Sequence, residues 1–186
     1  MILLWLVGVQ GDSTVKGYTD WISCTSISWA LTREIAESAK AGTQDLFTGV
    51  SDVAPIDLNK SFDRSSPILM KLGAGGGALG GPTGTGLIHL IMSGAGGETI
   101  DEKDPKDNVY CKFKLAGPLV KSWSISGDED ARPSETLSLW YYKVSFFYKQ
   151  FAGKDASGAY TGSWDRTKNT PWKDGPGSDW AKYDKP

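Results

Sequence analysis

The sequence predicts a mainly β fold, a sandwich or barrel with one short α-helix beside it, and three observations carry that prediction. Aromatic residues, including 8 Trp and 7 Tyr, fall in alternating runs, and aromatic and β-branched side chains suit the pleated, half-buried surface of a strand. Clusters of Gly, Pro, Asp and Asn separate those runs, as in domains made of many short strands. Helical signals with a start and a stop occur together in one short stretch only. The 186 residues suit one domain, long enough to bury a core without disulfide or metal staples.

The first strand is expected over Ile2–Val9, with a turn at Gly11-Asp12-Ser13. A longer run from Tyr18 to about Leu31 places Trp21, Ile27 and Trp29 on one face and Ile22, Cys24 and Ser26 on the other. Leu31–Ala41 has a helical composition but only a faint apolar stripe, and it reads as either helix or extended loop. A helix is expected from Ser66 as cap, through Pro67 in the first position and Ile68–Leu72, to a stop at Gly73. Gly73–Gly86 reads as an irregular, mobile glycine-rich segment. Strand signals return at Leu87–Met92, Val109–Ala116, Leu119–Ser126 and Leu137–Phe151. In Val109–Ala116, Val109, Cys111, Phe113 and Leu115 alternate with Tyr110, Lys112 and Lys114, the mark of a half-buried strand. In Leu137–Phe151 both faces carry apolar residues, which suggests burial on one side and a subunit contact on the other. From about Pro171 the chain reads as an extended tail whose Trp172 and Trp180 need a docking surface.

No constellation of reactive residues emerges, and the expectation is a protein without catalytic, cofactor-binding or metal-binding residues. A Ser-His-Asp or Cys-His site must use His89, which sits inside a strand pattern and reads as a packing residue. No serine lies in a nucleophile elbow. Gly75-x-Gly77-x-x-Gly80 matches a dinucleotide fingerprint as a string, but a helix precedes it and a strand follows, the reverse of what pyrophosphate binding needs. The acidic clusters Asp101–Asp104 with Asp107, and Asp128–Asp130, lack calcium-loop spacing and read as solvated turns. Cys24 and Cys111 form no CxxC pair; they read as plain buried residues, with a Cys24–Cys111 disulfide as the other reading.

The formal net charge is −2, with no long basic run, so neither nucleic acid nor an anionic membrane is an expected partner. The apolar start, Met1–Val9, is short, has no basic flank and is followed by no small-residue cleavage site. It fits a buried strand better than a signal peptide or membrane span. The protein is expected to be cytoplasmic when made, which leaves open export by a route without a cleaved signal.

The order of certain segments resembles a known family. Gly11-Asp12-Ser13, then Gly17-Tyr18-Thr19-Asp20-Trp21-Ile22 and Ile27-Ser28-Trp29, is similar to the opening of the haemolysin-coregulated proteins, Hcp, the tube proteins of bacterial type VI secretion systems. Phe62-Asp63-Arg64-Ser65-Ser66-Pro67-Ile68-Leu69 resembles the family's lead into its single helix, and Trp164-Asp165-Arg166-Thr167-Lys168-Asn169 its last-strand pattern. The resemblance implies a two-sheet β-barrel flanked by one helix, covering residues 1–170, with 171–186 as a tail beyond the family's usual end. It implies six copies in a ring, rings stacked into a hollow secreted tube, and partners in a contractile sheath, a spike and effectors. It also implies that the segment after the second strand, roughly Thr32–Ala54, is an extended loop reaching a neighbouring subunit. Leu46, Phe47, Val50 and Val53 in that segment, with Trp172 and Trp180 in the tail, are the candidate interface residues. A non-stacking adaptor for one cargo protein and a phage-like tail tube are the alternatives.

Overall fold

The computed structural model describes residues 1–37, 46–92, 108–152, 155–173 and 175. Its elements are β1 (Ile2–Leu6), β2 (Ile22–Ser28), β3 (Leu31–Glu37), β4 (Leu46–Val53), β5 (Ile56–Ser61), α1 (Ser66–Gly75), β6 (Thr85–Ile91), β7 (Val109–Ala116), β8 (Leu119–Ser126), β9 (Ser134–Trp140), β10 (Lys143–Ala152) and β11 (Asp155–Asp165). Nine strands form one continuous sheet in the order β11-β10-β7-β6-β1-β2-β5-β9-β8, while β3 and β4 form a separate two-stranded hairpin. Every ladder is antiparallel. Barrel and sandwich are thereby told apart. Among the described residues no ladder joins β8 to β11, so hydrogen bonds close no cylinder. The sheet instead folds over its own apolar face. Leu4, Ile22, Leu58, Ile88, Phe113, Leu115, Val120, Leu137 and Val144, from eight of its nine strands, share one buried cluster with Leu69 of α1.

Bulges correct the expected faces. In β2 the register jumps between Cys24 and Ser26, leaving Thr25 as an extra residue. An extra residue inverts the side-chain alternation beyond it. Ile22 and Cys24 before the bulge and Ile27 and Trp29 after it therefore all meet the main core, whereas Trp21 joins a second cluster on the outer face. The same happens in β7, where Leu90 pairs with Cys111 and Ile91 with Val109. Cys111, Phe113 and Leu115 point into the core as expected, but Val109 crosses to the outer cluster with Leu3, Tyr18, Trp21, Leu87 and Ile91. Residues 11–21, expected to be partly strand, cover that outer cluster. There His89 is buried, its Nδ1 3.0 Å from the Tyr18 hydroxyl and its ring 5.0 Å from that of Trp21, a packing role as the sequence predicts.

The expected strand Leu137–Phe151 is two strands, β9 and β10. Tyr141 between them is fully buried, and the Tyr142 ring takes the space where a Cβ on Gly117 would stand, 2.4 Å from a ring carbon. Gly117, at φ +58, supplies both the missing side chain and the left-handed backbone. On β10 the outward face is not free either: Phe147 is buried, with the Lys112 ammonium 5.7 Å from its ring centroid. Leu31–Glu37 is strand β3, which decides that segment as far as it is described.

Helix α1 begins where Pro67 predicts, but Ser65 is its N-cap and it runs past Gly73 to Gly75, ending at Gly76 with φ +66. Ser66 is buried because its hydroxyl is used elsewhere. It accepts from the Asp63 N–H at 2.9 Å and from the Lys60 ammonium at 3.1 Å. The glycine-rich stretch after the helix is irregular as expected, yet it is stitched down. Leu79 is buried and its N–H donates to Pro118 O at 2.7 Å, while Gly117 N–H donates to Gly84 O at 2.7 Å.

Lys60 is the centre of a buried ionic cluster. It lies on the inward face of β5, opposite Cys24 of β2 and Glu135 of β9. Its ammonium is 2.7 Å from Glu135 Oε2 and 2.9 Å from Asp63 Oδ1, and donates to Ser61 O at 2.9 Å. Burial acts to raise the Asp63 carboxyl pKa, but hydrogen bonds from Ser65 and Lys60 outweigh it and lower it. The Cys24 thiol is pushed up to about 12, chiefly by burial, with the Lys60 charge opposing. Both cysteines are free. Along the register Cys24, Ile2, Leu90 and Cys111 lie on successive strands, three spacings of about 4.8 Å apart, where a disulfide needs its Cα atoms within about 7 Å. Replacing Lys60 by Met is expected to strand two carboxylates and cost about 3–5 kcal/mol, read from urea unfolding. Lys60→Met with Glu135→Leu should recover much of that loss. A single-variant loss below about 1 kcal/mol, as for an ordinary exposed pair, contradicts this account.

Candidate assembly surfaces

The hairpin β3–β4 is an arm that leaves the body between two strands of the main sheet, β2 and β5. The pairing runs from Leu31↔Val53 to Glu37↔Leu46. On it Leu31, Ile35 and Val50 are 58%, 60% and 74% exposed, which burial within one chain does not explain. Apolar side chains exposed on one projecting element make it the candidate contact surface. Val53, at the arm's root, is the exception among the predicted interface residues. It is buried in the main core, where its side chain serves its own subunit. Val50 is where a neighbour can reach it. Leu46 and Phe47 belong to β4 opposite Glu37 and Ala36, and their side chains, like all of Trp180, lie outside the described residues.

The root of the arm is built from polar atoms of four segments. Ala54 N–H donates to Ala30 O at 3.0 Å, closing the arm's base. Trp29, just before β3, packs edge-on against Phe113 at 5.6 Å between ring centroids. Its indole N–H donates to the Tyr141 hydroxyl at 2.6 Å, and that hydroxyl donates to Ala54 O at 2.7 Å. Tyr141 therefore ties the residue that enters the arm to the residue that leaves it. Burial pushes its phenol up to about 12, against the opposing effects of the Trp29 hydrogen bond and the Arg166 charge, so it stays a donor at any ordinary pH. Arg166 caps the joint. Its guanidinium stands 4.8 Å from the Trp140 ring centroid and 5.3 Å from that of Tyr141, and Nη2 is 4.0 Å from the Asp52 carboxylate on β4.

Arg166 is held by the turn that ends β11. Asp165 Oδ1 accepts from Thr167 N–H at 3.0 Å and Lys168 N–H at 3.2 Å, while Oδ2 pairs with Lys143 at 3.0 Å. Asn169, at φ +52, turns the chain back so that Thr170 pairs with Asp165. Trp172 then lies against its own sheet: its N–H donates to Ser163 O at 3.4 Å, and Lys114 and Lys143 stand 5.8 Å and 5.6 Å from its ring centroid. The predicted docking of Trp172 thus falls on its own chain. Sequence reasoning did not single out Tyr141 or Arg166. Tyr141 was hidden inside what reads as one long strand, and Arg166 stood only as a letter in a familiar pattern.

Two other features of the surface bear on assembly. Among the described residues the main sheet ends at β8, whose outer edge carries no ladder, and at β11, whose outer edge is met near its end by Thr170 and Trp172. The described residues also hold no group of three or more His, Cys, Asp and Glu side chains able to bind a metal ion, and no helix among them is long and apolar enough to cross a membrane. Fold and surface together define a folded-over antiparallel β domain with one helix and a projecting apolar arm.

The chain belongs to the family described as type VI secretion system effector, Hcp, whose model matches residues 3–148. Among solved structures, one described as a type six secretion system protein superposes with a TM-score of 0.75 at 23% identity, covering 91% of this chain and 98% of that one. Hcp1 from Salmonella typhimurium gives 0.68 at 22% identity, covering 91% and 97%. The secreted protein Hcp3 from Pseudomonas aeruginosa gives 0.55 at 13% identity, covering 88% and 96%. No curated protein sequence matches the chain.

The turn after β11 should make stability pH-dependent. Burial acts to raise the Asp165 pKa, but hydrogen bonds from Thr167, Lys143 and Lys168 and the Lys143 charge together lower it from 3.8 to about 2. A depressed pKa gives stability that is complete above the unfolded value and is lost as pH falls through the folded one. Urea midpoints measured from pH 5 down to pH 2.5 should therefore fall in the wild type through this group. Asp165→Asn should start lower and lose less over the same interval; parallel curves contradict the assignment.

Proposed function

We propose that this chain is the structural tube subunit of a type VI secretion or related contractile injection system, closing into six-membered rings that stack into a hollow secreted tube. The observation that carries the reading is the family match over residues 3–148. Physical features of the chain support it. The outer edge of β8, open among the described residues, and an arm with exposed Leu31, Ile35 and Val50 are what a head-to-tail ring contact uses. A subunit that docks its arm on the next one repeats the contact around a ring, and a ring stacked on its copy extends it into a filament. The role is mechanical and uses no active site. Its partners are other copies of the chain, then a sheath, a spike and carried effectors, with secretion by the injection machine instead of a cleaved signal.

Negative-stain electron microscopy with light scattering tests this directly. Rings or tubes with a central hole, and a scattering mass of several subunits, are the expected result. A uniform monomer or a ring that never stacks favours the cargo adaptor instead. Ile35→Asp with Val50→Asp should weaken assembly by about tenfold or more, because charges would be buried unpaired at the contact. The same change should leave the stability of the isolated subunit within about 0.5 kcal/mol, since both positions are exposed there.

A further inference from the structure

We infer that Tyr141 and Arg166 are positioning residues that fix the direction of the β3–β4 arm relative to the body, and that ring closure depends on this fixed direction. The inference rests on the proposed tube function for its second half and on the geometry of the joint alone for its first.

A two-stranded hairpin joined to a domain by its two ends is free to swing about those ends unless something fixes them. Here the connections are short: Trp29 and Ala30 lie between β2 and β3, and Ala54 and Pro55 between β4 and β5. Backbone pairing of Ala54 with Ala30 holds the two connections together but does not anchor them to the body. The Tyr141 hydroxyl supplies a directional anchor beside the packing of Trp29 and Val53 in the core. It sits on a side chain fully buried at the β9–β10 junction, and it bonds Trp29 on one side and Ala54 on the other. One hydroxyl thus fixes both connections to a point in the core.

Arg166 adds a second point of reference. Its backbone N–H donates to Tyr142 O at 3.0 Å, so its position is set by the same junction. Its guanidinium lies over Trp140 and Tyr141 and reaches toward Asp52, one residue before Val53 on the arm's own strand β4. A planar guanidinium can stack on an aromatic ring and address a carboxylate together; a lysine ammonium does neither in the same way. The hydroxyl holds the connections, and the guanidinium, stacked on the β9–β10 junction, adds a weak ion pair to the exposed Asp52 on β4, a second restraint at a different point on the arm's root. The arm that carries the exposed residues Leu31, Ile35 and Val50 is then held in one orientation to the body. A binding element populated in one competent orientation loses affinity in proportion when that population falls.

The measurement is single-molecule energy transfer on the full chain with dyes at V50C, on the arm, and S124C, on exposed β8 of the body. Both native cysteines are buried and do not compete for dye. Picomolar dilution keeps the subunit separate, and ring formation is measured in parallel by light scattering at micromolar concentration. Tyr141→Phe, which removes both hydrogen bonds and keeps the ring, should broaden the transfer distribution and weaken ring formation by about tenfold. Arg166→Gln should act in the same direction. Should Tyr141→Phe fail to fold, Trp29→Phe removes the indole donor from the same joint and takes its place. A distribution as narrow as the wild type's in both variants overturns the joint. Broadening with undiminished ring formation overturns its role in assembly. If the wild type forms no ring at all, the tube reading fails while the transfer widths still decide the joint.

Discussion

Everything in this fold answers to one constraint: a nine-stranded antiparallel sheet that hydrogen bonds do not close into a cylinder among the described residues has to hide its apolar face, and it does so largely against itself. Folding a sheet over itself requires strands to bend and to change which side of the pleat faces inward. The bulges at Thr25 and Tyr110 do this in β2 and β7. They explain how Cys24 and Ile27, three residues apart, reach one core, and how Val109 and Cys111, two apart, reach different ones. The outer cluster under residues 11–21 is the other half of that solution, since the sheet face behind β1 and β6 is apolar too.

What the sequence revealed follows from the same constraint. Strands β7 and β8 were legible to the residue because they lie between firm turn signals. The class of fold, the single helix start at Pro67 and the structural role of His89 were legible for the same local reasons. Bulges have no local signature, so the faces of β2 and the first residue of β7 were not. Strand β5 alternates as Ile56, Leu58 and Lys60 inward, and a lysine in the third inward place disguises it. The break at Tyr141–Tyr142 was invisible because both residues are good strand formers, and what divides them is Gly117, distant in sequence. Of the interface candidates, Val50 is exposed on the arm, whereas Val53 looks the same in sequence and lies at the root of the arm, where the core begins.

The interior is polar where the chain changes direction. Lys60, Glu135, Asp63 and Ser66 meet where β5 gives way to α1, and Tyr141, Trp29 and Ala54 meet where the arm departs. Apolar contacts tolerate sliding, but a hydrogen bond lost in a low-dielectric interior is costly, so these nodes hold their geometry sharply. Buried ion pairs often add little net stability, and what the Lys60 cluster contributes is one specified arrangement of β5, β9 and the start of α1.

The two buried thiols carry a consequence of a different kind. Cys24 and Cys111 are shielded by burial, which pushes both up to about 12, and they stand too many strands apart to join. Thiols in this state neither react readily nor pair with each other. A reducing cell interior and oxidising surroundings differ in what they do to exposed, reactive thiols. Buried thiols of this kind are insensitive to either setting, so the folded chain has the same covalent structure in both.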